Sequence, residues 1–174
     1  MGYSVGEITE KGKPYQLTVY EPDFTTPDCF KGGVFYQIFP DRFFNSGSDK
    51  GELPYGRYVV TDWSAQPVWK QDGNFPEIGQ DYYGGGLRRG GGRIPYFKSL
   101  GVTIIYLNPI FESHSNHRYN TADYFKIDPS LGTEEDFVSL CAAAKKLGIR
   151  IILDGVFSHT GDDSRYFNRY GRYG

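Results

Sequence analysis

Three short apolar runs, each followed by a turn-forming or polar residue, set the pattern of this chain. They are VFYQIF at 34–39, VTIIYL at 102–107 and the run at 149–153, which contains one arginine. A proline, an asparagine and an aspartate follow the three runs in that order. Short runs rich in β-branched and aromatic residues and bounded by such residues are typical of strands buried on both faces. We therefore predict three buried strands.

Two stretches between these strands have the spacing of helices. Apolar residues recur three or four positions apart in 93–100 and, more regularly, in 133–148, which is the period of an α-helix. Thr133 suits the N-cap, three acidic residues follow it, and Gly148 suits the C-terminal end. The glycines at 90–92 cost about 1 kcal/mol each in a helix, so we expect the first turn of the earlier helix to be lost. The order strand, helix, strand, helix, strand predicts an α/β fold with parallel strands.

The remaining segments lack a clear period. Residues 42–92 are polar, contain Trp63 and Trp69, and are too long for an ordinary connection. Residues 110–132 are predicted to be a loop. Apolar and polar residues alternate over 15–20, which predicts a lone strand, and a lone strand belongs to a larger sheet because it cannot bury its own face.

Charge and cysteine usage exclude several function classes. The net charge is −2 and the pI is about 5.9, with no basic stripe to bind phosphates, so nucleic acid is not an expected partner. No apolar stretch predicts a membrane span or a signal peptide, which favours a cytoplasmic protein.

Cys29 and Cys141 have no cysteine or histidine neighbours at metal-ligand spacing, so we expect buried thiols. Aromatic residues form 17% of the chain, which suits either sugar stacking or an aromatic core.

Polar residues gather where the predicted strands end. Asp41, Asn108 and the stretch from Asp154 to His159 all follow a predicted strand. In parallel sheets and barrels, ligands bind at the C-terminal ends of the strands. These residues are therefore candidates for a binding site. The structural alternative is that the aspartates are turn or capping residues and that His159 is a loop histidine with local partners.

Four segments of the chain resemble the opening third of the α-amylase family of glycoside hydrolases, most nearly its neopullulanase and maltogenic-amylase branch. They occur in the family's order and with its spacing. The segments are GGVFYQIFPDRF (32–43), YYGGGLRR through RIPYFKSLGVTIIYLNPIFES (82–113), NHRYNTADYFKIDPSLGTEEDF (116–137) and GIRIILDGVFSHTG (148–161).

The resemblance implies a fold and a domain division. The three strands and their helices would be the first part of a (β/α)8 TIM barrel, which the chain is too short to complete. Residues 1–30 would be the end of a preceding β-sandwich and a linker. Residues 31–174 would be the N-terminal part of the catalytic barrel, including the start of the loop after the third strand.

The resemblance also implies roles for four substrate-binding residues. Tyr119 would stack on the sugar ring before the scissile bond, with His117 beside it. His159 would hydrogen-bond a hydroxyl of the same ring, and Asp154 would orient catalytic groups from the next strand. Asn120 stands where the family commonly has aspartate, which makes an ion pair in this loop doubtful.

No catalytic residue is predicted within the chain. A retaining glycosidase needs one carboxylate as nucleophile and one carboxylic acid as proton donor. In the family these are an Asp and a Glu on the fourth and fifth strands, with a further Asp on the seventh, so they are expected beyond residue 174. Asp41, Asp162 and Asp163 are poor substitutes, because an acid in a polar loop is more often solvated than tuned.

We predict no metal and no other cofactor. Calcium binds the branch through an aspartate at the position of Gly86, and many amylases have an asparagine ligand at the position of Ser158. The loop that supplies the other ligands offers too few carboxylates for a convincing site. Its oxygen donors are Asn45, Ser46, Ser48 and Asp49.

The function that the resemblance implies is hydrolysis of α-glycosidic bonds in starch, maltodextrin or pullulan by a retaining enzyme. The chain alone is expected to be inactive, to bind α-glucan, and to self-associate through exposed sheet edges. One alternative is a non-catalytic carbohydrate-binding α/β module. Another is a nucleotide-binding protein, which the glycines at 84–92 suggest, but these glycines follow no recognisable strand and no Gly-Lys-Ser/Thr occurs.

Overall fold

A parallel sheet with helices against it carries the fold. The computed structural model describes residues 17–47, 53–70, 78–88 and 90–173. In these ranges the strands are β1 (Phe35–Ile38), β2 (Tyr58–Val59), β3 (Asp81–Tyr82), β4 (Ile104–Leu107), β5 (Phe111–Ser113), β6 (Thr121–Ile127) and β7 (Arg150–Leu153). The helices are α1 (Ile94–Ser99) and α2 (Glu134–Lys146), with short 3-10 helices at Asp28–Phe30, Pro40–Arg42, Pro54–Gly56 and Gly90–Arg93.

The three predicted strands are confirmed as β1, β4 and β7, but the prediction that all three are buried is wrong. Only β4, the central strand, is mostly buried, because β1 and β7 lie at the outer edges of the sheet and are largely exposed or half-buried. They pair in parallel in the order β1-β4-β7, with Ile38 opposite Leu107 and Leu107 opposite Leu153. Since the strands are parallel and in register, their C-terminal ends lie side by side at one edge of the sheet. That edge is where the sequence predicted a binding site.

Helix α2 is confirmed together with its predicted ends. Thr133 Oγ1 accepts a hydrogen bond from the backbone N–H of Asp136 at 3.2 Å, and Asp136 Oδ2 accepts one from the backbone N–H of Thr133 at 3.0 Å. This capping box satisfies amide groups that the first helical turn leaves unpaired. Gly148 follows the helix with φ +72°, a left-handed conformation that glycine adopts without steric cost.

The start of α1 is altered as the glycine run predicted. Gly90–Arg93 is a 3-10 turn that leads into α1. A Cβ atom on Gly90 would lie 3.3 Å from Leu140 Cδ1, and one on Gly91 would lie 3.2 Å from Ala143 Cβ. The glycines therefore let this turn pack tightly on α2. Behind it, Phe97 and the sheet residues form the apolar core.

Two predicted segments differ from the structure. Residues 110–132, expected to be a loop, contain the antiparallel hairpin β5–β6, whose register shifts at Glu112. The shift breaks the strict alternation by which a strand is recognised. Residues 17–20, the described part of the predicted lone strand, form no strand, and Leu17 and Val19 are 86% exposed. Without a partner strand this segment has no face to bury, and Tyr15 lies outside the described residues.

The two cysteines are less buried than the sequence predicted. Cys29 and Cys141 are free thiols, but both are only half-buried rather than buried. Each lies within a helical element at the surface, the 3-10 helix Asp28–Phe30 and α2 respectively, so only one side of the thiol is covered.

Among the described residues, no helix combines the length and the apolar character that a membrane span requires.

A buried carboxylate between two arginines joins the long loop to the β5–β6 hairpin. Arg57 donates from Nη1 and Nη2 to Asp128 Oδ1 and Oδ2 at 2.7 and 2.6 Å. Arg118 Nε lies 3.4 Å from Asp128 Oδ2, and all three side chains are at most 1% exposed. Burial alone would raise the pKa of Asp128, but the charges of Arg118 and Arg57 hold it below its ordinary value. Asp128 therefore stays ionised inside the fold.

The position of Arg118 ties this cluster to the connection between β5 and β6. Arg118 donates to the carbonyl of Asn116 at 2.6 Å and to Ser130 Oγ at 2.7 Å. Its backbone has φ +62°, a conformation that is unfavourable for a residue with a side chain. The buried ion cluster stabilises this conformation.

We expect the substitution Asp128→Ala to destabilise the chain by about 3–5 kcal/mol, because it leaves two buried arginines without a counter-charge. Urea unfolding followed by circular dichroism measures the loss. The matched control is Asp28→Ala, which breaks an ion pair with Lys31 whose aspartate side chain is 94% exposed. The control should unfold like the parent chain. Equal stability of the two variants would contradict the prediction.

Candidate functional site

A chain of hydrogen bonds runs across the C-terminal edge of the parallel sheet. Gln37 Nε2 on β1 donates to Asn108 Oδ1 at 2.9 Å, and Asn108 Nδ2 donates to the Tyr119 hydroxyl at 3.2 Å. The Tyr119 hydroxyl donates in turn to Asp154 Oδ2 at 2.9 Å. Four separate segments thus meet at one point. The structure brings the predicted residues Asn108, Tyr119 and Asp154 together, and it adds Gln37 to them.

The Tyr119 ring is held by a carboxylate and by a histidine ring. Tyr119 is 37% exposed, and its ring stacks against His117 with centroids 6.0 Å apart and planes 27° apart. Burial first, and then hydrogen bonding to Asp154, raises the pKa of the Tyr119 hydroxyl. The same causes raise the pKa of Tyr106 on β4. Asp154 therefore faces two neutral phenols.

His117 has a defined protonation state. Burial, followed by the nearby charge of Arg118, lowers the pKa of His117, so the ring is neutral at neutral pH. Its Nδ1 accepts a hydrogen bond from the backbone N–H of Tyr119 at 3.1 Å and lies 3.2 Å from Ser115 Oγ. An imidazole nitrogen that accepts carries no proton. The proton is therefore on Nε2, which can donate to a ligand.

The short loop that carries these rings is anchored on both sides. Between His117 and Tyr119 the side chain of Arg118 points inward and is fully buried. After Tyr119, the Asn120 amide oxygen accepts hydrogen bonds from the hydroxyls of Ser113, at 2.7 Å, and Ser115. An amide rather than a carboxylate at position 120 thus has neutral partners, and the loop needs no ion pair there.

Within the described part of the chain, His159 makes no hydrogen bond to Gln37, Asn108, Tyr119 or Asp154. Its side chain is exposed, its Nδ1 lies 3.0 Å from Ser158 Oγ, and its carbonyl accepts from the Tyr124 hydroxyl at 3.1 Å. These local partners match the structural alternative for this histidine. A role of His159 in holding a sugar stays a prediction.

Asp41 is a structural residue, as the alternative interpretation proposed. It is fully buried and accepts hydrogen bonds from the backbone N–H groups of Tyr83, at 2.9 Å, and Gly84, at 3.2 Å. A Cβ atom on Gly85 would lie 2.3 Å from the carbonyl oxygen of Pro40. The glycine run therefore serves close packing against the end of β1, which explains it without a phosphate ligand.

Asp162 and Asp163, in the loop after β7, have different surroundings. Asp162 accepts hydrogen bonds from Arg169 at 3.1 Å and from Tyr170 at 3.0 Å at the surface. Asp163 is 8% exposed, and within the described residues its carboxylate oxygens have no hydrogen-bond partner. Asp162 is thus an ordinary surface ion-pair residue.

At two positions where the resemblance places calcium ligands, Gly86 and Asn45, the structure shows other contacts. A Cβ atom on Gly86 would lie 2.5 Å from the carbonyl oxygen of Leu131, so a ligating side chain has no room there. The Asn45 amide is already engaged, since Nδ2 donates to the Tyr83 carbonyl at 3.1 Å and Oδ1 accepts from Gly47 at 2.8 Å. Ser48 and Asp49 lie outside the described residues. Among those described, no group of three or more His, Cys, Asp or Glu side chains could hold a metal.

Sequence reasoning missed several residues of this region. Gln37 was hidden because it belongs to an apolar run that predicts a strand, whereas Asn108 was already a candidate from its place after the second strand. Arg118 was hidden because a lone arginine in a polar segment gives no sign of burial. The glutamine within the apolar run of β1 was the available signal, since a polar side chain among apolar residues stands out in the sequence.

Comparison with known proteins places this geometry in one family. The model of the alpha-amylase catalytic domain matches residues 37–173. The amylopullulanase of Thermoanaerobacterium saccharolyticum is 46% identical over 97% of this chain, and the match covers 14% of that protein. Neopullulanase 2 of Thermoactinomyces vulgaris is 43% identical over 80% of the chain, covering 22% of that protein. The chain therefore spans less than a quarter of these relatives.

Solved structures agree with the sequence relatives. The ligand-free cyclic alpha-maltosyl-(1→6)-maltose hydrolase of Arthrobacter globiformis superimposes with a TM-score of 0.67 at 39% identity, covering 81% of this chain and 29% of that one. Ttha1563 of Thermus thermophilus superimposes with a TM-score of 0.65 at 43% identity, covering 79% and 27%. The parallel sheet, the site at its C-terminal edge and these matches together show that the chain belongs to the α-amylase family of glycosidases, of whose catalytic domain it matches a part.

Proposed function

We propose that the chain supplies the first strands of the catalytic barrel of an α-glucan hydrolase and holds one glucose ring at the edge of its sheet. The observation that carries the proposal is the Tyr119 ring, which is exposed on one side and fixed by Asp154 and His117. A pyranose presents C–H groups on its face and hydroxyls on its rim. An immobilised aromatic face beside hydrogen-bonding groups suits such a ligand.

Each residue would have a separate part in binding the ring. Tyr119 stacks on the C–H face, and the Nε2–H of His117 donates to a rim hydroxyl. Asp154 accepts from the Tyr119 hydroxyl and so sets the angle of the ring. Its carboxylate also faces the space after β7, where groups from a following strand would arrive.

The bond cleavage itself needs a pair of carboxyl groups about 5–5.5 Å apart in a retaining enzyme. By family resemblance these come from the fourth and fifth strands, which follow β7. We propose that starch, maltodextrin or pullulan is the substrate of the whole enzyme and that this chain positions it. The relatives named as amylopullulanase and neopullulanase support this substrate class.

Self-association through the sheet is a further proposal. Within the described residues, β1 and β7 are the outer strands of the sheet and each has one unpaired edge. Phe157, next to the end of β7, is 83% exposed, and unpaired edges beside apolar side chains favour association.

A cytoplasmic location stays a prediction, with an intracellular maltogenic amylase of Bacillus subtilis among the relatives.

The pKa of Tyr119 tests whether Asp154 holds this ring. Because the Asp154 charge disfavours a tyrosinate and its oxygen accepts from the neutral hydroxyl, Asp154→Asn should lower the pKa of Tyr119 towards its ordinary value. NMR titration of chains labelled with ¹³C at tyrosine Cζ measures this, with Tyr119→Phe to assign the signal. The Tyr96 signal, on the surface of α1, is the internal control. An unchanged Tyr119 pKa in the variant would show that the two groups do not interact in solution.

Maltoheptaose titration tests the proposed function. We expect the chain to bind maltoheptaose and Tyr119→Ala to weaken binding by about tenfold or more, because a stacked aromatic contributes about 0.5–1.5 kcal/mol beyond its buried area. Isothermal titration calorimetry gives the affinities. The matched control is Tyr96→Ala, which removes a tyrosine that is 50% exposed on α1 and should leave binding unchanged.

Two results would count against this function. Equal binding by the two variants would remove Tyr119 from the site, and no binding by the parent chain would overturn the proposal. A reducing-sugar assay on the same samples separates binding from cleavage. We expect no release of reducing ends from starch, and steady release from contaminant-free protein would place catalytic carboxylates within this chain.

We propose that the chain binds no calcium, because Gly86 leaves no room for a ligating carboxylate and Asn45 is engaged elsewhere. Adding EDTA or millimolar CaCl₂ should leave the thermal unfolding temperature unchanged. The variant Gly86→Asp is the comparison, and it should be less stable whether or not calcium is present, because its Cβ meets the Leu131 carbonyl. Calcium-dependent stabilisation of the parent chain would contradict the proposal.

A further inference from the structure

We propose that a second α-glucan site lies beside Trp63, in the loop between β2 and β3. It rests on the proposed function for the class of ligand, but none of its residues belongs to the hydrogen-bond chain from Gln37 to Asp154. A cavity of about 320 Å³ opens there, within the range of about 300–1,000 Å³ that is usual for small-molecule sites. Its lining residues are Phe43, Phe44, Asn45, Val60, Thr61 and Trp63.

The Trp63 ring is an exposed surface on a rigid support. The residue is 44% exposed, while its ring packs edge-on against the buried Tyr83 ring with centroids 6.0 Å apart and planes 81° apart. On Tyr83 itself lies the guanidinium of Arg42, with Cζ 4.3 Å from the ring centre. The Tyr83 hydroxyl donates to the carbonyl of Ala65 at 2.7 Å. The loop beside Trp63 is thereby fixed to a buried residue.

Local hydrogen bonds close the turn that presents Trp63. Asp62 Oδ1 accepts from the backbone N–H of Ser64 at 2.9 Å and from its hydroxyl at 2.7 Å. The backbone N–H of Ala65 donates to the carbonyl of Asp62 at 3.1 Å. An aspartate that bonds its own backbone two residues on stabilises a tight turn. A ring fixed in this way loses little conformational entropy when a ligand stacks on it.

The chemistry of the cavity favours a neutral polyhydroxylated ligand. None of the six described lining residues carries a charge, so the described part of the lining offers no ion pair to a phosphate or a carboxylate. The Thr61 hydroxyl provides a hydrogen-bonding group beside the exposed Trp63 ring. The Asn45 amide has a structural part instead, since it donates to the carbonyl of Tyr83, on whose ring Trp63 packs. An α-glucan segment matches this combination of aromatic face and polar rim.

The two tryptophans of the chain make the site directly observable. The variant Trp69→Phe leaves Trp63 as the only tryptophan, and Trp69 is 76% exposed and does not line the cavity. We expect maltoheptaose to change the fluorescence of this variant in a saturable way. Trp63→Phe, which keeps Trp69, should give a flat titration. Adding Thr61→Val to Trp69→Phe should weaken binding about fivefold, the effect of one lost hydrogen bond of about 1 kcal/mol.

The controls separate this site from the one at the sheet edge. In a Trp69→Phe, Tyr119→Ala chain the Trp63 response should persist with the same affinity, and its loss would mean that Trp63 reports on the first site. An absent Trp63 response while calorimetry still detects binding that depends on Tyr119 would overturn the second site alone. Absence of both would overturn the proposed function with it. An equal response to cellohexaose would overturn the assignment to α-glucans.

Discussion

The buried carboxylate of Asp128, between Arg57 and Arg118, is the interaction on which the binding edge depends. Three charges lie out of water, and each loses hydration that the others must replace. They can do so only if Arg57 from the long loop and Arg118 from the hairpin reach the same carboxylate. Arg118 turns inward at the cost of a left-handed backbone. This places its neighbours His117 and Tyr119 on the outside, where a ligand can meet them.

The hydrogen-bond chain at the sheet edge depends on the parallel register in the same way. Asn108 and Asp154 directly follow the paired residues Leu107 and Leu153, and Gln37 lies opposite Tyr106, two positions before Asn108. The parallel register therefore brings all three side chains to the same edge of the sheet. Tyr119 reaches this edge from the anchored hairpin connection. Its phenol accepts from an amide and donates to a carboxylate, so both functions of the hydroxyl are used. The ring has one orientation, with its free face exposed.

Local patterns in the sequence predicted the strands of the parallel sheet and α2, but they could not predict the buried ion cluster. The three strands and α2 could be predicted because each is specified by its own residues, down to the Thr133 cap. Arg57 and Asp128 lie 71 positions apart, and nothing near either of them distinguishes a buried ion pair from two solvated charges. The β5–β6 hairpin was not predicted for a related reason, because its shifted register removes the alternation of apolar and polar residues that predicts a strand. The resemblance to the family identified Tyr119 and Asp154, but not the Gln37 and Asn108 side chains that lead to them.

The contacts that support Tyr119 bear on how the proposed function divides substrate positioning from bond cleavage. The hydrogen bonds that orient Tyr119 come from Asn108 after β4, Asp154 after β7 and His117 in the hairpin connection. These contacts fix the orientation of the ring within the described residues. Cleavage, under the proposed function, has a different requirement, because a retaining glycosidase needs two carboxyl groups on either side of the glycosidic bond. Under the proposed function Asp154, directly after β7, is the residue that links the ring that positions the sugar to the groups that cleave the bond.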